Sequence, residues 1–427
     1  MLTAKSLSLR CSLRWFALIV CSMTLVAASF AQSLNTIHTF SGNPDGEAAA
    51  ALSVDAAGNL FGASLANSVT NDMVFELSPT SGGWTFSTLY TFQGNADGQS
   101  PSTSLLMDAA GNFYGATYVG GHGLSCFQGC GTVFKLSPDG SGGWTKTTIY
   151  NFGLYPSDGN WPGGNLAMDA AGNIYGTTQF GGVYGSGTAY VLKPRSNGTW
   201  KETILHHFGG SVAAGSDPVG GVVLDAQGNV YGTLTHGGLV NATCAEGCGA
   251  VFELSQVAGK WKSTLLHVFS GSDGAFPTGA ISFDKAGNLY STTQAGGKNS
   301  AGVVFELTPK SGGGWKVHVL HTFDGNSGGL KPFAGVTFDA KGNLYGTTAF
   351  GGNFVSACNG ASGCGLVYGL RPTSTGGWSF KVLHAFNGAD GYMVENPLTL
   401  GPVGTLFGTT QLGGGSANSG TVFEITP

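Results

Sequence analysis

Apolar and polar residues alternate along this chain in short runs, and the runs come in sets of four. The first of a set ends in Asp, as in GGVVLD (220–225) and GVTFD (335–339). A D-x-x-G-N turn and a segment of the type NLYGTT follow. Gly-Gly then opens a loop, and a third run such as GTVFKL (131–136) comes after it. The fourth begins at Trp and ends at Phe, as in WSFKVLHAF (378–386). A period of two, β-branched and aromatic content, and Gly, Asp and Pro at the boundaries predict four short strands per set. Asp55, Asp108, Asp169, Asp225, Asp284 and Asp339 open the turns. A carboxylate there bonds nearby backbone N–H groups, and the Gly three residues on accepts a left-handed backbone.

The set recurs seven times. Its middle reads GNLFGASLANS (58–68), GNFYGATYVGG (111–121), GNIYGTTQFGG (172–182), GNVYGTLTHGG (228–238), GNLYSTTQAGG (287–297), GNLYGTTAFGG (342–352) and GTLFGTTQLGG (404–414). The spacing of 53–62 residues predicts a ring or array of repeats. The seventh copy puts Gly401 where the others have Asp, and stops after GTVFEI (420–425) without a fourth run. The missing run stands at the other end: QSLNTIHTF (32–40) sets Gln32 at the Trp place, His38 at the His/Tyr place and Phe40 at the Phe place. The predicted fold is all-β, a seven-bladed β-propeller over 32–427 with four antiparallel strands per blade. Its N-terminal strand (32–41) completes the last blade. Such closure pairs edges that would otherwise stay open, whereas a solenoid needs capping repeats.

Residues 1–31 depart from the pattern. Lys5, Arg10 and Arg14 precede the apolar stretch 15–28, and Ser29-Phe30-Ala31 ends it with small residues at both cleavage positions, the features of a signal peptide. An uncleaved anchor is the alternative. No other stretch is long and apolar enough to span a bilayer. A hydrophobic fraction of 41% excludes a disordered chain. Losing the three basic residues leaves 15 Lys and Arg against 23 Asp and Glu, a formal charge of −8. With no basic cluster, nucleic acid and anionic membrane surfaces are poor partners. The expected location is secreted or periplasmic, and the expected state is a monomer.

GNLYGTT with its Gly-Gly (342–352), G-T-V-F-x-L-x-P (131–138) and G-G-W (313–315) resemble the Gloeo/Verruco, or GloVer, repeat of secreted bacterial proteins. The resemblance covers essentially all of 32–427. It implies export and carries no established activity. The D-x-x-G-N-[LIV]-Y turn is also similar to that of NHL-type propellers, which supports the strand order.

Six cysteines remain after residue 31, as Cys126/Cys130, Cys244/Cys248 and Cys358/Cys364, each pair in the loop before the third strand of alternate blades. Even number and local pairing in an exported chain point to three disulfides. A zinc site is the rival, and two cysteines are too few ligands for one. The [His/Tyr]-x-Phe residues (His38, Tyr90, Tyr150, His206, His267, His321, His384) and the tryptophans that open the fourth strands recur once per blade, which makes them architectural. Asp45, Asp97, Asp158, Asp273 and Asp390 of the F-x-G-x-x-D-G loops leave calcium as an option, though Asp-Gly is also a plain turn signal. No other cofactor is indicated.

No local nucleophile or zinc-hydrolase motif is present. Acids that break the repeat are Glu47, Asp72, Glu202, Asp217, Glu246, Asp324 and Glu395. Because direction reverses at each strand, the cysteine loops and the D-G-x-x-P loops share one rim. There Pro101, Pro162, Pro218, Pro277, Pro332 and Pro397 follow a variable residue: Ser100, Trp161, Asp217, Phe276, Lys331 and Asn396, with Glu47 the nearest equivalent in the first blade. A fixed frame presenting different side chains suits a ligand site. The plain alternative is a set of tolerant loop positions. The expectation is a non-catalytic module binding a glycan or an extracellular protein. Its rival is a hydrolase or lyase acting on polysaccharide, with at least two pattern-breaking acids, among Glu47, Asp217 and Glu395, converging at the channel.

Overall fold

The computed structural model describes residues 33–42, 45–65, 72–123, 125–358 and 362–427. Residues 1–31, where the signal peptide is expected, and Gln32 lie outside them. The rest forms seven antiparallel sheets, a seven-bladed propeller with four strands per blade. Blades 1 to 6 span 47–91, 99–151, 159–207, 222–268, 282–322 and 337–385, and blade 7 takes 399–425. Blade 4 shows the plan: Val222–Leu224 innermost, then Val230–Leu234, Ala250–Val257 and Lys260–Val268 at the outer edge. All five residues of Val230–Leu234 are buried, because neighbouring blades cover both faces of the second strand. The outermost strand alternates exposed and half-buried residues instead.

The repeated residues serve this packing. Asp108 accepts hydrogen bonds from the backbone of Ala110 and Asn112, from the Asn112 amide and from the Tyr114 hydroxyl at 3.0 Å, while Gly111 takes φ +79°. Blade 7 loses both ends of the last bond, with Gly401 for Asp and Phe407 for Tyr, so no hydroxyl is stranded. The glycine of Y-G-T is a slot for a ring: a Cβ on Gly232 would lie 2.7 Å from Phe252 Cζ. The following Thr stitches blades together: Thr177, Thr292 and Thr347 donate to the carbonyls of Pro218, Ala334 and Asn396 in the next blade, at 2.9, 2.7 and 3.1 Å. The tryptophans pack between blades, Trp84 on Phe407, Trp200 on Tyr114 and Trp378 on Tyr290.

The His/Tyr set is architectural for a stated reason. His38, Tyr90, Tyr150, His267 and His384 each hydrogen-bond the Asp of their own blade's following loop: Asp45, Asp97, Asp158, Asp273 and Asp390. That carboxylate also accepts from loop backbone N–H groups, such as Gln93 and Ser270. In blades 3 and 5 no Asp stands there, and burial pushes His206 down and His321 down to about 4.

Closure is by the N-terminal strand. Leu34–Thr39 pairs with Thr421–Ile425, from Leu34 opposite Ile425 to Thr39 opposite Thr421, as the outermost strand of blade 7. A bulge falls just before His38, where the other fourth strands bulge before their His or Tyr. Phe40 is fully buried against Leu52, Leu60, Phe75 and Val422, joining the first and last blades. Deleting residues 33–40 is expected to lower the Tm by at least about 5 °C, since a core Phe is lost and a sheet edge opened. Calorimetry on the truncated chain checks this; an unchanged Tm would refute closure.

Candidate functional site

Three disulfides, Cys126–Cys130, Cys244–Cys248 and Cys358–Cys364, staple loops of blades 2, 4 and 6. Cys130, Cys248 and Cys364 are buried and pack with Phe152, Phe269 and Phe386 at the ends of fourth strands. Their carbonyls accept hydrogen bonds from the N–H groups of Trp161, Phe276 and Met393 in the next blade, at 2.8, 2.9 and 3.1 Å. Ser186 and Ala301 do the same for Asp217 and Lys331. In blade 1 the pattern-breaking Asp72 takes over: its carboxylate accepts the Ser100 N–H at 2.6 Å. The stapled loops and the residues before proline therefore form one connected rim.

Ser100, Trp161, Asp217, Phe276, Lys331 and Met393 all take φ between 55° and 59°. A left-handed backbone costs a non-glycine residue roughly 1–2 kcal/mol. The set corrects one sequence expectation: Asn396 is not the blade 7 member. The register is fixed by the Gly two residues earlier, and after Gly391 the left-handed residue is Met393, with Val394 in the proline place and Pro397 three residues late. Asn396 instead sits deeper, donating to Thr409 at 3.0 Å. Glu47 pairs with Leu65, the register that Ser100 holds in blade 2, but without a positive φ, because blade 1 is one residue shorter there.

Side chains from neighbouring blades gather around these residues. Trp161 lies between Tyr118 and Phe180, with ring centroids 5.3 and 5.1 Å away, and its indole N–H is buried without an acceptor among the described residues. The Tyr118 hydroxyl donates to Gln179 at 2.5 Å and is close enough to Asp217 for that charge to raise its pKa, behind the larger effect of burial. Asp217 is 2.7 Å from His236 Nδ1, and the Glu246 carboxylate, on the Cys244–Cys248 loop, is 3.7 Å from Nε2. The hydrogen bond to Asp217 is the main cause raising the His236 pKa. His236 also packs on Phe276, and the Lys331 ammonium lies over Phe350. Tyr118, Phe180, His236 and Phe350 escaped the sequence reading. Each stands one or two residues after the last place of the Y-G-T-T run (Thr117, Thr178, Leu234 and Thr348), a place that varies between copies as the residue before proline does.

Below the rim, an axial channel of about 160 Å³ is lined by small and polar residues from all seven blades, among them Ser102, Ser104, Asn165, Thr278 and Glu395. Burial raises the Glu395 pKa. Asp217 and Glu47 do not line the channel, so the three acids do not form one cluster there. Among the described residues no group of three His, Cys, Asp or Glu is placed to hold a metal, and no helix is long and apolar enough to cross a membrane.

The model of the Gloeobacter/Verrucomicrobia repeat matches residues 20–244 and 238–427, so the chain belongs to that family. No curated protein matches it by sequence. Similar solved structures include the polysaccharide lyase Uly1 (12% identity, 94% of each chain, TM-score 0.53). A protein from Lactobacillus plantarum has 14% identity over 83% of this chain and 88% of that one, with a TM-score of 0.51. A luciferin-regenerating enzyme has 12% identity over 93% and 95%, with a TM-score of 0.44. At these identities the likeness is one of fold alone.

Two expectations follow for the rim. Ser100→Gly relieves the left-handed strain at the smallest of the six side chains and is expected to stabilise the fold by about 1 kcal/mol, measured by urea unfolding. Asp217→Asn is expected to lower the His236 pKa, followed by NMR titration of its ring. Because the folded-state value is raised, the stability from this pair is fully present below the unfolded pKa of 6.5 and is lost as pH rises through the folded value. The variant's deficit should therefore shrink above neutral pH.

Proposed function

We propose that this member of the repeat family is an extracytoplasmic, non-catalytic binding protein that takes a glycan on the loop-rich rim around the channel mouth. The observation that carries the reading is the run of six different non-glycine side chains held at a left-handed backbone position. A chain with 74 glycines uses none at this place. Strain kept at the same spot in blade after blade is the signature of a site whose side chains matter. Trp161, flanked by Tyr118 and Phe180, offers the flat apolar surface on which a pyranose ring stacks. Asp217 and Lys331 supply polar groups to orient it. The three disulfides and the expected signal segment support an extracytoplasmic location. The reading needs no cofactor, and we take the protein to act as a monomer.

One observation favours a second reading, a hydrolase or lyase acting on polysaccharide: the Asp217–His236 pair has the geometry of a positioned acid–base residue. A glycan array of the chain from residue 32, run with and without a chelator, tests both. Binding is expected, and Trp161→Ala should weaken it at least about tenfold, the effect of losing an aromatic anchor. New chain ends released from a bound polysaccharide would favour the enzyme. Silence on every glycan, with capture of an extracellular protein instead, would overturn the glycan reading.

A further inference from the structure

We propose that Asp158 and Glu202 share one proton across the boundary between blades 2 and 3, and that losing it loosens the segment carrying Trp161. The functional meaning of that loosening rests on the reading of the rim given above; the shared proton does not. The Tyr150 hydroxyl lies 3.0 Å from a Glu202 carboxyl oxygen and 3.2 Å from an Asp158 carboxyl oxygen. A phenol has one hydrogen to donate. With both acids ionised, one of these contacts would set a carboxylate against a lone pair in a half-buried site. One added proton resolves it, as a chain in which Glu202 donates to Tyr150 and Tyr150 donates to Asp158.

The proton belongs on Glu202. Burial raises the pKa of Asp158, 2% exposed, but it accepts the backbone N–H groups of Leu154 and Gly159 at 2.9 and 2.7 Å, which favour its charged form and which Glu202 lacks. Among the described residues Glu202 receives hydroxyl donors, Tyr155 at 2.5 Å beside Tyr150, and its other oxygen is buried with no hydrogen-bond partner. Burial pushes its pKa up to about 7, with the Asp158 charge adding to the rise. The groups facing it are Tyr150, Tyr155 and Asp158 from the blade 2 side, and Tyr190 from its own blade's third strand. None of the ion pairs among the described residues brings a Lys, Arg or His to either acid.

The preceding blade boundary supplies an internal comparison. Tyr90 and Asp97 stand where Tyr150 and Asp158 do, and the place of Glu202 is taken by Lys146, whose ammonium is 2.7 Å from Asp97. A fixed cation at one boundary is thus replaced at the next by a second acid that needs a proton. Asp158 closes the 153–158 loop and stands three residues before Trp161. Ionising Glu202 sets two like charges together under that loop, and their repulsion works against its closure although the Tyr155 hydroxyl still donates to Glu202.

Thermal midpoints and amide exchange protection from about pH 5 to about pH 8 test this. A raised carboxyl pKa gives stability that is full below the unfolded value and is lost as pH rises through the folded one. The folding equilibrium constant relative to that of Glu202→Gln should therefore fall roughly a hundredfold across that window; the buried His206 and His321, whose lowered pKa values act in the opposite sense, are common to both chains and cancel in the ratio. Protection at Leu154 and Gly159 should fall with it. Glu202→Lys, which restores the pairing of the neighbouring boundary, and Glu202→Gln, which keeps a donor without a charge, should both flatten the pH dependence. A wild-type profile parallel to that of Glu202→Gln overturns the proposal. Millimolar calcium restoring protection at high pH would also overturn it, by showing a metal ion in place of the proton. Neither readout uses a glycan, so a failed glycan screen and a failed latch are told apart.

Discussion

A propeller depends on its last edge being closed. Seven twisted sheets packed face to face bury their middle strands on both sides only if the ring has no gap. Here the gap is filled by residues brought from the opposite end of the chain, Leu34–Thr39 against Thr421–Ile425. Every inner packing relation presupposes that step. The Y-G-T glycines leave room for rings on the third strand, the tryptophans reach the previous blade, and the threonines donate to carbonyls in the next. Residues under that constraint recur because the geometry recurs, which is why the histidine set ends as a set of loop braces to Asp45, Asp273 and Asp390.

The period and the closure were legible because both rest on local alternation and on residues at fixed spacing. The disulfides were legible because each pair lies within one loop. What failed was register where the marker residue moved. Proline was read as the reference point, but the backbone counts from the Gly that ends the Asp-Gly turn, so Pro397 led to Asn396 and away from Met393. Relations between blades were invisible for a different reason. Nothing in one repeat tells that Tyr118 approaches Asp217, that His236 stands between a rim acid and a stapled loop, or that Glu202 takes the place of Lys146 opposite an Asp. Those pairings are set by the rotation from blade to blade, and a single sequence carries no trace of it.

Charge follows the same division. Only 10% of the chain is charged, and most carboxylates do backbone work inside their own repeat: Asp108 and its counterparts in the turns, Asp97 and its counterparts in the loops. Among the acids that break the pattern, two kinds stand out. Asp72 replaces a scaffold function, holding the Ser100 N–H that a carbonyl holds elsewhere. Glu202 and Glu395 sit instead where burial raises their pKa and makes their protonation state matter.

A tolerant loop and a ligand site make different demands on the left-handed rim position. A tolerant position relaxes toward the cheapest residue, and at φ near +55° the cheapest is glycine, which this chain places freely at the turns around it. Six retained side chains at roughly 1–2 kcal/mol each are a large expense beside the net stability of a typical domain. The carbonyls of Cys130, Cys248 and Cys364 hold three of them in place through loops that disulfides fix. Proline after five of the six narrows the backbone further. Rigid loops, strained backbone and divergent side chains on one rim are the observations on which the proposed ligand site rests.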